Sequence, residues 1–336
     1  MIPVSDAAWQ TPRWQSELAD AITDPAELLA LLDLDAALLP AALQSAAAFP
    51  LRVPRGFVAR MRTGDPHDPL LRQVLPIADE LATIPGYVED PLEETAELPD
   101  DGVLRKYDGR ALVVTTGACG VHCRYCFRRH FPYSDTRAAS DGWQPVLARF
   151  AADPSLAEAI LSGGDPLTLS DRRLALLVEG LGAVPHLRRL RIHTRQPVVL
   201  PTRIDGQLLR WLRATRLETV VVIHANHPAE IDQAVRDALA ALRDAGATLL
   251  NQSVLLRGVN DSVPVLAELS EALFGAGVLP YYLHLLDPVA GAAHFDLPLS
   301  TAHALHGGLQ RRLPGYLVPR LVREVAGEPM KTPVYA

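Results

Sequence analysis

The chain holds 336 residues, 49% of them hydrophobic and 21% charged, enough apolar content to bury a large core without disulfides. Its formal net charge of −7 argues against a nucleic-acid-binding surface. The opening MIPVSDAAWQTPRW lacks the charged-then-apolar order of a secretory signal, and the longest apolar region, residues 28–43, is interrupted by Asp33, Asp35 and Pro40, so neither export nor a membrane span is expected.

Residues 1–105 are rich in Ala, Leu and Pro, and AELLALLDLDAALLPAAL has the spacing of an amphipathic helix, so this part is expected to form an N-terminal, mainly helical region. After DDGVLRKYDGR the texture changes. Short apolar or β-branched runs follow at 111–116, 158–163, 187–194, 219–225, 248–256 and 279–286, with helical segments such as AEIDQAVRDALAALRDAG between them. Beyond the first interval they recur at roughly the 30-residue length of one strand–helix unit.

Six strands alternating with helices imply a parallel α/β sheet, doubly wound or curled into a barrel. The polar segments GGD, HTR, HAN, NQS and HLLD all fall at the C-terminal ends of these runs. Barrels build their sites at that end, whereas an open sheet concentrates its site at one switch point. The expectation is an α/β fold: a partial (β/α)6 TIM-like barrel over 106–300, preceded by the helical region and followed by a C-terminal segment, 301–336.

All three cysteines, Cys119, Cys123 and Cys126, lie within eight positions, in GACGVHCRYCFRRHF after the first run. An odd number at such tight spacing is no disulfide framework and points to a reducing, cytoplasmic compartment. Three readings stand on spacing alone. Zinc would take His122 or His130 as a fourth ligand, although no later cysteine supplies a second ligand pair. An iron–sulfur cubane held by three thiolates would leave one iron open to a ligand. Inert buried thiols are the third.

CGVHCRYC resembles the CxxxCxxC signature of the radical S-adenosylmethionine (SAM) enzymes, which use a partial βα barrel. Their [4Fe–4S] cluster binds SAM at the open iron and cleaves it to a 5′-deoxyadenosyl radical. DPLLRQVLP, CRYCFRRHF, LSGGDPL, RQPVVLPTRI, NQSVLLRGVND and KTPV, in order across about residues 68–334, are similar to the lysine 2,3-aminomutase subfamily, above all its shorter members linked to β-lysylation of elongation factor P. The resemblance implies an isomerase that converts L-lysine to β-lysine with a [4Fe–4S] cluster, SAM and pyridoxal 5′-phosphate (PLP). It also implies an electron donor such as flavodoxin or ferredoxin, a functional link to elongation factor P and its ligase, and no nucleic-acid or membrane partner. An aminomutase for arginine or glutamate, or a zinc-stabilised binding protein without catalysis, are the alternatives.

The resemblance also assigns residues. Cys119, Cys123 and Cys126 hold iron, and Gly163, Gly164 and Asp165 of LSGGDP meet the amino group of SAM. Tyr125 lies near the adenine; Gln252, by its position at a strand end rather than by the resemblance, is a candidate cofactor contact. Lys331, before Thr-Pro, is the lysine that holds PLP as a Schiff base, the role of an amine nucleophile. Arg128 binds the substrate carboxylate by its fork. Asp287 and Glu324 hold the ε-ammonium, Glu324 standing where lysine-specific relatives have aspartate. Lys106, Tyr107 and Arg110 resemble a segment near PLP, while His193, His224, His227 and His284 near strand ends receive no role. GEPM replaces the relatives' glycine run before Lys331, and Ser262 stands where they tend to have a zinc-binding cysteine. With the chain ending at Ala336, these departures point to no zinc and a smaller assembly.

Overall fold

Short runs of branched residues cannot present both faces to water, and in this chain they lie side by side with helices laid over them. The computed structural model describes residues 12–95, 99–133 and 140–335. Its sheet has nine strands in sequential order: β1 Val103–Tyr107, β2 Arg110–Thr116, β3 Glu158–Gly163, β4 Arg189–Thr194, β5 Glu218–Ile223, β6 Thr248–Val254, β7 Leu279–His284, β8 Arg320–Arg323 and β9 Thr332–Pro333. Strands β2 to β8 pair in parallel. The outer strands β1 and β9 pair antiparallel to β2 and β8.

The six expected strands are β2 to β7, in the expected order. The parallel run is longer than six, however, because β8 adds a strand after the helix Leu299–Arg312. RLVR is four residues with a charge at each end, too short to carry a periodic signal. Strand β1 reaches β2 through Asp108-Gly109, a two-residue hairpin connection. The boundaries expected at 105/106 and 300/301 therefore fall inside β1 and inside the helix Leu299–Arg312.

Each connecting helix turns an apolar stripe to the sheet. Leu208, Trp211 and Leu212 from one, and Val235, Leu239 and Leu242 from the next, join Val221, Ile223 and Leu249 of β5 and β6 in one core cluster. Burying each such aliphatic side chain contributes roughly 1.5–3 kcal/mol, which outweighs modest helix propensity. Asp205 and Asp232 cap these helices by accepting backbone N–H groups. Ser262 caps the helix Val263–Gly275 through Val265 N.

The N-terminal helices pack Trp14, Leu28, Phe57 and Leu71 together with Val121 of the cysteine loop and Val199 and Leu200 after β4. That cluster fixes the cysteine loop from outside the sheet. No helix among the described residues is long and apolar enough to cross a membrane.

Candidate active site

The C-terminal ends of the parallel strands surround a cavity of about 1030 Å³. Every residue assigned a site role above lines it: the three cysteines, Tyr125, Arg128, Gly163, Gly164, Asp165, Gln252, Asp287, Glu324 and Lys331. Sequence order scatters these over more than two hundred positions, and the parallel topology brings their strand ends to one face.

The cysteine loop follows β2. Its backbone is tied to the N-terminal region, with His122 N donating to Arg52 O at 2.9 Å and Arg124 N to Gln73 O at 2.9 Å. Of its three arginines, Arg124 and Arg129 both converge on the buried Glu80, with Nη2–Oε2 distances of 2.5 and 2.8 Å. They anchor the loop. His122 and His130, the histidines weighed as zinc ligands, bond to the carbonyls of Pro50 at 2.9 Å and Ala290 at 3.2 Å. The three cysteines are free thiols and only partly exposed. Burial, with Cys126 close by, pushes the Cys119 thiol well above its ordinary range. Burial also pushes the Cys126 thiol up to about 11, with Cys123 adding to it. Such thiols ionise readily once a metal neutralises them.

The GGD turn closes β3 directly against that loop. Gly163 sits at φ +119°, and a Cβ there would meet Thr116 O at 2.6 Å; one on Gly164 would meet Ala118 O at 2.4 Å. The room the glycines leave is thus filled by the end of β2 and the start of the cysteine loop, through Gly164 N to Thr116 O at 2.7 Å and Asp165 N to Ala118 O at 2.8 Å. Asp165 is buried and accepts from Thr194 Oγ1 and Arg195 N, each at 2.7 Å, and from Leu167 N at 3.0 Å. Burial raises its pKa to about 6 even though these bonds favour the anion. The carboxylate expected to meet an ammonium also ties β3 to the end of β4.

Arg128 is buried, and its fork is engaged by Glu94, with Nε–Oε2 at 2.6 Å and Nη2–Oε1 at 2.9 Å; Nη1 donates to Ser162 Oγ at 3.1 Å. Glu94 comes from the long segment before β1, and no local pattern in the sequence marks it. Tyr125 accepts a bond from Asn226 Nδ2 at 2.7 Å and packs edge-on against Phe295.

Lys331 and Glu324 meet because β9 folds back on β8, pairing Arg323 with Thr332. The Lys331 ammonium is ion-paired with Glu324, which also accepts from the Tyr107 hydroxyl. The aromatic ring of Tyr282 lies 5.8 Å from Lys331 Nζ. Asp287 stands three residues beyond the end of β7 and faces the same cavity.

The lining fits a cluster, a SAM and a PLP. Three thiols and one amine converge on the cavity, and the Nε2 atoms of His193, His224, His284 and Gln252 are buried there without a hydrogen-bond partner among the described residues. Buried polar atoms are nearly always paired, so these are ready for groups of a ligand. Burial lowers the pKa of all three histidines, that of His224 to about 4, which keeps the rings neutral. His227, by contrast, accepts from Ala229 N at a turn outside the cavity lining.

No family model matches the chain. A solved radical SAM methyltransferase from Sphaerobacter thermophilus overlays 66% of this chain and 68% of its own at a TM-score of 0.45 and 20% identity, too slight a likeness to argue from. Whole-chain relatives are far nearer. The L-lysine 2,3-aminomutase of Escherichia coli (strain K12) is 51% identical over 322 residues, 96% of this chain and 94% of that protein. The Haemophilus influenzae L-lysine 2,3-aminomutase is 46% identical over 99% of this chain and 98% of its own. The Clostridium subterminale one is 35% identical over 98% of this chain and 79% of its own. With half of its residues shared along nearly its whole length, this chain belongs to the L-lysine 2,3-aminomutase family.

Proposed function

We propose that this chain converts L-lysine to β-lysine, moving the α-amino group to the neighbouring carbon while both ends of the substrate are held. The observation that supports this most is that one cavity is lined by the three cysteines of the CxxxCxxC loop and by Lys331, Glu324 and Asp287. The cofactors are a [4Fe–4S] cluster, SAM and PLP. When bound, the cluster and SAM supply the carbon-centred radical that starts the rearrangement, and PLP carries the migrating amine.

In this reading Cys119, Cys123 and Cys126 hold the iron, and Lys331 holds PLP. Gly163 and Gly164 bring the strand-end backbone up to SAM, and Asp165 fixes that turn. Tyr125 and Gln252 line the SAM side. Arg128 takes the substrate carboxylate on its remaining Nη2 hydrogen, while Glu94, Ser162 and Gly163 keep the fork oriented. Asp287 and Glu324 take the ε-ammonium. Glu324 serves two cations in turn, Lys331 in the free protein and the substrate in the loaded one. An ω-carboxylate would meet like charge in the same place, so glutamate is rejected. The walls position the substrate and keep stray hydrogen donors away.

The chemistry needs one-electron reduction, which supports a flavodoxin- or ferredoxin-type donor. Resemblance to the shorter relatives supports a role in supplying β-lysine for elongation factor P, and reduced thiols support a cytoplasmic location. The test is anaerobic reconstitution followed by incubation with equal lysine, arginine and glutamate. β-Lysine alone should form. Conversion of arginine or glutamate in preference to lysine rejects the substrate assignment.

A further inference from the structure

Arg195 follows the last residue of β4 and is 5% exposed. Its Nη1 lies 2.7 Å from Cys123 Sγ. Its Nη2 donates to Gln73 Oε1 at 2.7 Å and to Glu230 Oε2 at 3.0 Å, and its backbone N–H donates to Asp165 at 2.7 Å. The rings of Phe57 and Tyr125 flank the guanidinium, each 5.6 Å away. Glu230 is itself immobile: it is fully buried and accepts from Asn226 N, His227 N and Gln73 Nε2.

The geometry separates two tasks of this side chain. Neutralising Glu230 accounts for one end of the fork, and that end is satisfied through Nη2 alone. The other end is aimed at a cysteine. A guanidinium clamped by a buried carboxylate and two aromatic rings has no rotamer freedom left with which to turn away, so the contact is built in. Hydrogen bonds to cluster sulfurs are among the determinants of a cluster's potential, because they favour the state with more negative charge on iron and sulfur.

We propose that Arg195 is a positioning residue of the iron–sulfur site: it donates an N–H···S bond to the Cys123 thiolate and makes the cluster easier to reduce. The proposal rests on the cluster reading above. The histidine-to-threonine-to-arginine end of β4 was visible in the sequence, yet nothing local to it shows which cysteine lies opposite.

The test is a potentiometric titration, followed by EPR of the reduced cluster, on reconstituted holoprotein without SAM. Arg195→Gln should keep its iron and shift the redox equilibrium about tenfold toward the oxidised form, about 59 mV for one electron. Arg195→Lys, which keeps the charge but loses the fork, should fall between that variant and wild type. An unchanged midpoint in either iron-loaded variant overturns the proposal. If both variants lose iron, wild-type protein carrying guanidinium-¹⁵N arginine decides. Pulsed EPR should detect a ¹⁵N coupling to the reduced cluster, and its absence overturns the proposal. A wild-type protein that takes up no iron at all would sink the cluster reading instead, so the two failures are distinct.

Discussion

The ammonium of Lys331 rests on the carboxylate of Glu324, seven residues earlier, because β9 returns antiparallel along β8 and brings the two side chains to the cavity wall together. Tyr107, from β1 at the opposite edge of the strand order, donates to the same carboxylate. A C-terminal lysine that would ordinarily be a solvated charge is thereby held half-buried at the site.

Glu324→Gln should separate substrate binding from radical chemistry. The amide keeps the size but cannot pair with an ammonium, and losing a charge-assisted bond costs on the order of 2–3 kcal/mol. Steady-state kinetics should show kcat/KM for lysine lowered roughly 10²-fold, with a raised KM. Iron content and lysine-independent SAM cleavage should match wild type. A fall in SAM cleavage as large as the fall in lysine turnover would place Glu324 elsewhere.

Replacing any one of Cys119, Cys123 and Cys126 by Ala should remove an iron ligand, and with it the brown colour and SAM cleavage. Colorimetric iron analysis after anaerobic reconstitution checks this. Full iron and normal cleavage in all three variants would contradict it, as would a colourless wild-type protein loaded with zinc.

Borohydride reduction of PLP-loaded protein should fix the cofactor on Lys331, located by peptide mass spectrometry. Lys106 is the chain's other lysine, and a label there would show that the KTP match misleads.

The neutral histidines make stability depend on pH. His224 has its pKa lowered to about 4, mainly by burial, with Arg195 and Lys331 adding to it. Below its ordinary pKa of about 6.5 the unfolded chain binds a proton that the folded one refuses. Stability is therefore fully present above about pH 6.5 and declines as pH falls toward 4. At about 1.4 kcal/mol per unit this amounts to no more than roughly 2 kcal/mol by pH 5, less any screening by cavity water. Calorimetry of cofactor-free His224→Gln should show a shallower fall in Tm between pH 7 and 5 than wild type. Equal slopes would rule His224 out as a source.

The strands of the core were legible because β2 to β7 are branched runs at regular intervals, and their polar ends pointed to the site. Strands β8 and β9 were not, since RLVR and TP are stabilised by neighbours rather than by their own pattern. Site residues carried by short motifs, such as the cysteines and Lys331, could be located from sequence. Their partners could not. Glu94 reaches Arg128 across 34 positions and Glu230 reaches Arg195 across 35, and each is just one more carboxylate until the fold closes. Gly163 and Gly164 show a subtler gap: the need for glycine was readable, but the atoms crowding them belong to the end of β2 and to the start of the cysteine loop.

The proposed reaction moves an amine within lysine itself. Reconstituted protein with reductant, SAM and PLP should be given lysine labelled with ¹⁵N at the α-amino group, and the product examined by NMR. β-Lysine should carry the label on the β-carbon, with none lost to an added pool of unlabelled ammonium. Recovery of unchanged lysine from fully iron-loaded, PLP-loaded protein, or exchange of the label with that pool, would contradict it.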